Sequence, residues 1–116
     1  MTTLFIGFGY SVPTAKQHYA KSLGECTQYG NLAMRARLAF REKVQSAVER
    51  SGFEVLFLGN GTGQWEGQSE PAGAITAMGD GDIDQLVAAL TFLATRYHQD
   101  SIALTIVPSS ETKLLG

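Results

Sequence analysis

Cysteine, histidine and excess positive charge are all scarce in this chain. Its one cysteine, Cys26, has no second thiol for an internal disulfide, which fits a reducing compartment, and a cytoplasmic location is expected. With only His18 and His98 beside that thiol, no paired ligand spacing is present and no metal site is expected. Lysine and arginine total 9 against 11 aspartates and glutamates, for a net charge of −2. Nonspecific nucleic-acid binders carry the opposite balance because they neutralise phosphates, so strong nucleic-acid binding is not expected. No apolar run nears the roughly 18–20 residues that span a bilayer. The opening MTTLFIGFGYSVP has no basic n-region or cleavage pattern, so neither a membrane span nor a secretory leader is expected.

Catalytic groups are equally sparse. Cys26 has no evident neighbouring base, and His98 falls at a helix end where complementing the dipole accounts for it. Asp80, Asp82 and Asp84 lack the loop pattern and closing glutamate of a calcium site. Paired His-x-Ser/Thr motifs are absent, and the segment Gly7–Pro13 lacks the arginine that acylphosphatase-like chemistry would need. No catalytic residue is assigned and no cofactor is expected.

What the chain does have is enough apolar material, 44% of its 116 residues, for one domain over 1–116 with its own core. Thr3–Phe8 reads as a strand with apolar residues on both faces. A helix is predicted over about 31–50, with Ala33, Ala36, Phe40, Val44, Ala47 and Val48 inward and Gly52 as terminator. Phe53–Leu58 and Pro71–Met78 read as strands. The intervening residues 59–70, GNGTGQWEGQSE, read as a glycine-punctuated hairpin loop too irregular for a tight two-residue turn. Asp82-Ile-Asp-Gln85 reads as a capping box opening a helix over about 82–97, with Ile83, Leu86, Val87, Leu90, Ala94 and Tyr97 on its apolar face. Ser101–Val107 is β-branched and stopped by Pro108.

The order strand–helix–strand–strand–helix–strand is the split βαβ arrangement. It predicts an α+β, ferredoxin-like βαββαβ fold, with a four-stranded antiparallel sheet and two main helices on one face. Strands 3–8 and 71–78 would be central. Residues 9–30 form an insertion in which Ser11-Val-Pro13 opens a short helix ended by Gly24, and 108–116 form a tail. The sheet face away from the helices carries Phe5, Leu56 and Leu58. Leaving these in water forfeits several kcal/mol at about 25 cal/mol per Å², so a homo-oligomer is expected.

Candidate ligand contacts follow from residue type. Gly61 and Gly63 allow close backbone approach, and Trp65 offers a stacking surface. Glu70 can accept a hydrogen bond from a sugar or base edge. Arg37 and Arg41, at i and i+4, together with Arg35 suit a phosphate near the helix start at Asn31. Tyr10 and Tyr19, with His18 and Tyr29, add rings able to stack and hydrogen-bond.

Gly63, Trp65, Glu70, Gln99, Ser101 and Ile102 also carry a resemblance. The chain is similar over 3–8 and about 53–107 to small phage and bacterial domains of unknown function, which have a Trp-containing hairpin, a glutamate at the next strand's start, and a Gln-x-Ser-hydrophobic strand. The resemblance implies a ferredoxin-like scaffold, a phage setting and thus a host cytoplasm; it transfers no catalytic residue. The functional expectation is a non-catalytic phage-type binding protein, acting in counter-defence by sequestering a small nucleotide-like anionic ligand in an oligomer. A protein–protein inhibitor of a host immune or nuclease complex is a second reading. A small dimeric ferredoxin-like enzyme using His18, Tyr19 or Glu70 is a third.

Overall fold

The structure is a computed structural model that describes residues 1–13, 30–111, 113 and 115, with Trp65 described by its main chain alone. Tyr19, His18, Cys26, Tyr29 and the expected short helix up to Gly24 lie outside the described residues. The elements are β1 (Thr2–Gly9), α1 (Met34–Arg50), β2 (Phe53–Trp65), β3 (Gln68–Gly79), α2 (Ile83–Arg96) and β4 (Ala103–Val107). The four strands form one sheet in the order β2-β3-β1-β4, antiparallel at every pairing, so β1 and β3 are central. This is the expected α+β, ferredoxin-like arrangement.

Helical periodicity accounts for the packing. Ala36, Phe40, Val44, Ala47 and Val48 of α1 are buried, as are Leu86, Leu90, Leu93 and Ala94 of α2. They meet Leu4, Ile6 and Phe8 of β1 and Ile75 and Ala77 of β3. On α2 the buried stripe takes Leu93 and leaves Val87 exposed, a rotation of the stripe from the expected one. Phe40 sits at the centre, edge-on to Phe8 at 5.5 Å and stacked on Tyr97 at 4.8 Å.

The helix ends have specific causes. Gly52, at φ +95°, supplies the left-handed residue after α1, a conformation that a Cβ disfavours. Asp82 caps α2 by accepting from the Gln85 N–H at 3.0 Å. Gln85 does not close the box: its amide donates to the Arg50 carbonyl at 3.3 Å, while the Asp82 N–H is taken by the Ser51 carbonyl.

Three expectations are corrected. First, 59–70 is not an irregular loop. β2 and β3 continue through it, paired from Gly59↔Ala74 to Trp65↔Gln68. The turn between them is the two residues Glu66 and Gly67, at φ 50° and 78°. Positive φ at both central positions is the type I′ geometry that matches strand twist; glutamate at the first position conceals it, because asparagine, aspartate and glycine are the usual signals there.

Second, strict alternation in β2 fails at Leu56. The register with β3 shifts between Val55 and Phe57, which puts Phe57 in solvent and returns Leu58 to the core side. Third, α1 starts at Met34, not Asn31. Asn31 instead bridges Ser11, with Leu32 N–H donating to the Tyr10 carbonyl at 2.7 Å. The Ser11–Asn31 bridge and the Val12–Gly30 hydrogen bond thus join the chain on either side of residues 14–29. At the other end of the sheet, Ser110 N–H donates to the Met1 carbonyl at 2.9 Å and ties the start of the tail to β1.

Candidate functional site

Side-chain alternation divides β1 cleanly. Leu4, Ile6 and Phe8 face the helices, whereas Phe5, 48% exposed, shares the opposite face with Gly7 and Gly9. Following the pairing across the sheet shows what that open face is made of. One row reads Phe57–Thr76–Phe5–Thr105. The next reads Gly59–Ala74–Gly7–Ala103, and the one after it Gly61–Ala72–Gly9. A further row holds Gly63 and Glu70.

Two successive rows thus carry nothing larger than a methyl group, between a row with two phenylalanines and a row with a carboxylate. The result is a groove of about 650 Å³ with a flat Gly/Ala floor, within the size range of small-molecule sites. The Phe57 ring leans over Gly59, where an added Cβ would come within 3.0 Å of its edge. Ser11, Gln64, Glu66, Glu70, Asp100 and Ser101 add polar groups to its lining.

Glu70 is half-buried, and its carboxylate lies low over the main chain of Gly9: a Cβ there would be 2.6 Å from Oε1. Among the described residues no hydrogen bond or ion pair engages that carboxylate. The described lining includes Glu66, Glu70 and Asp100 but no lysine, arginine or histidine. These carboxylates favour hydroxyl donors or a cationic group beside them.

The expected site residues separate into two sets. Gly61, Gly63 and Glu70 come together in the groove. Trp65 ends β2 opposite Gln68, and its side chain, like all of Tyr19, lies outside what is described. Arg35, Arg37 and Arg41 sit on α1, in the helical layer, and do not line the groove. Arg37 donates from Nε to the Leu32 carbonyl at 2.9 Å and places its guanidinium 5.6 Å from the centre of the Tyr10 ring.

Tyr10 is a core residue. It is buried, edge-on to Phe8 at 5.8 Å, and donates its hydroxyl to Asn60 Oδ1 at 2.8 Å. Burial pushes its phenol above the ordinary value near 10, and the nearby Arg41 and Arg37 charges offset part of that rise.

Gly7, Gly9, Ala72, Ala74 and Ala103 are not among the residues expected in a site. Their signal is present all the same. Small residues recur with period two in Gly7-x-Gly9, Gly59-x-Gly61-x-Gly63 and Ala72-x-Ala74, which on strands means one face. Reading the glycines as loop punctuation hid that face.

Among the described residues no cluster of His, Cys, Asp or Glu could hold a metal ion, and no helix is long and apolar enough to cross a membrane. No protein-family model and no curated protein matches the chain. Among solved structures it is similar to a phage SAM lyase in complex with S-methyl-5′-thioadenosine, at 15% identity and a TM-score of 0.43, over 91% of this chain and 79% of that one.

Proposed function

We propose that the groove binds a small nucleoside-like molecule whose polar end is uncharged or cationic, and that the protein acts by holding it. The observation that carries this reading is the pair of Gly/Ala rows running to a carboxylate with no partner among the described residues. A planar ring lies flat where no side chain rises from the sheet, with the exposed Phe57 ring at its edge. Glu70 then accepts from ribose hydroxyls or faces a positive substituent. A neutral or cationic polar end stands here in place of the expected anionic one, because the three arginines that would meet a phosphate lie in the helical layer. In a phage setting such binding amounts to counter-defence by sequestration.

Self-association belongs to the same proposal. Phe5 and Phe57 stand exposed on the open face, 48% and 61%, and a second copy of the chain laid there would roof the groove. Native mass spectrometry reads the assembly directly: an oligomer supports this part, a clean monomer removes it, and a co-purifying host protein favours the inhibitor reading instead.

The binding claim is tested by titration calorimetry with three probes that share adenosine and differ in charge. These are adenosine 5′-monophosphate, neutral S-methyl-5′-thioadenosine, and S-adenosylmethionine with its sulfonium. The neutral and sulfonium probes are expected to bind about tenfold or more tightly than the phosphate, the scale of one charge-assisted contact. Equal binding of the phosphate, or no binding by any probe, contradicts the proposal. Chromatography of the same samples separates holding from turnover: recovered intact probe supports sequestration, and a cleaved probe makes the enzyme reading the better one.

A further inference from the structure

We infer that Gly9 positions Glu70, and that glycine is present there to leave room for the carboxylate; the inference deepens the binding reading above and rests on it for its functional consequence. Gly9 lies in extended backbone, paired with Ala72, outside the positive-φ glycines, so its conformation is open to any residue. What a side chain at this position would meet is Glu70: from an added Cβ, Oε1 is at 2.6 Å, the carboxyl carbon at 3.1 Å and Oε2 at 3.4 Å. All three contacts are with the far end of one side chain.

Gly7 provides the comparison within the same strand. It occupies the same face one row away, and among the described residues an added Cβ there would meet only the Ala103 methyl, at 3.9 Å. Across the sheet, Gly63 is the direct partner of Glu70, and a Cβ on it would stand 3.9 Å from the Glu70 Cγ. Glu70 thus has a glycine opposite it on β2 and another one row away on β1, and its carboxylate reaches from β3 across to the main chain of β1. The gap at Gly9 lets it lie at the level of the floor, where it can meet a ligand resting flat on the two small-residue rows. A methyl group at residue 9 lifts the carboxylate away while leaving the strand intact, because the clashing group is a mobile chain end.

The test compares wild type, Gly9→Ala, Glu70→Gln and the double variant, each first shown by circular dichroism and melting to be folded. In ligand-free protein, Gly9→Ala is expected to move the Glu70 side-chain carboxyl carbon resonance, and Gly7→Ala to leave it in place. An unmoved resonance in folded Gly9→Ala overturns the inference, whether or not any ligand binds. With S-methyl-5′-thioadenosine as probe, Gly9→Ala and Glu70→Gln are each expected to weaken binding about tenfold, and the double variant no more than Glu70→Gln alone. Losses that add mean that residue 9 acts independently of Glu70 and also overturn the inference. If wild type binds no probe while the resonance moves as expected, the binding reading fails and the positioning of Glu70 by Gly9 stands.

Discussion

The two faces of the sheet are built from the same strands to opposite ends. On the helical face, β1 presents Leu4, Ile6 and Phe8, all nearly inaccessible, against a core in which Phe40 touches several rings. On the open face the same strand presents Phe5, Gly7 and Gly9. One face is covered by buried side chains, where every methylene contributes; the other keeps two rows empty although glycine weakens a strand by roughly 0.5–1 kcal/mol relative to alanine. A glycine inside a strand that no turn or positive φ requires calls for another explanation, and a bound molecule lying close to the main chain supplies one.

The largest effect that separates the faces is at Phe40. Phe40→Ala is expected to lower unfolding free energy by about 3–5 kcal/mol in urea titration, since its cavity opens where Phe8, Tyr10 and Tyr97 converge. A loss below about 1 kcal/mol would break the view of that face as densely packed.

The matching change on the open face has the opposite sign. Among the described residues nothing lies within 4 Å of a Cβ at Gly61, so Gly61→Val is expected to leave stability unchanged or raise it by up to about 1 kcal/mol. The same variant fills the floor and is expected to weaken binding of S-methyl-5′-thioadenosine by about tenfold or more. Retained affinity in the stabilised variant would show that the empty rows serve no ligand.

A smaller effect comes from Tyr10 on the packed face. Its folded-state pKa is raised, chiefly by burial, so the folded protein holds the phenolic proton more tightly than the unfolded chain. Tyr10 therefore contributes fully below the unfolded value near 10, and the contribution is lost as pH rises through the folded value. Melting temperature is expected to fall more steeply above pH 10 in wild type than in Tyr10→Phe, each measured against its own value at neutral pH. Parallel slopes would contradict the burial argument. The smallest effect is expected at Arg35→Ala and Arg41→Ala, which should change affinity for the neutral probe by less than about 0.5 kcal/mol in calorimetry; a tenfold loss at either would return the site to α1.

The core was legible in the residues because helical and strand periodicities reinforce one another there. The buried positions of α1 repeat at helical spacing, Gly52 ends the helix in the conformation that glycine favours, and Asp82 caps the next helix as its position implies. The site was only partly legible. Glu70, Gly61 and Gly63 were singled out, but as parts of a loop, because Glu66 hides a two-residue turn and the bulge at Leu56 breaks the alternation that would have carried β2 onward. Tyr10 and the arginines look like ligand contacts by type. Tertiary packing uses Tyr10 and Arg37 instead to close the core beside the Ser11–Asn31 bridge.

Amide chemical-shift mapping shows whether ligand rests on the open face. Titrating labelled protein with S-methyl-5′-thioadenosine is expected to shift the amides of Gly7, Gly9, Gly59, Gly61, Ala72 and Ala74, while those of Arg35, Arg37 and Arg41 stay in place. Shifts centred on α1, or none at a saturating concentration, would contradict the account.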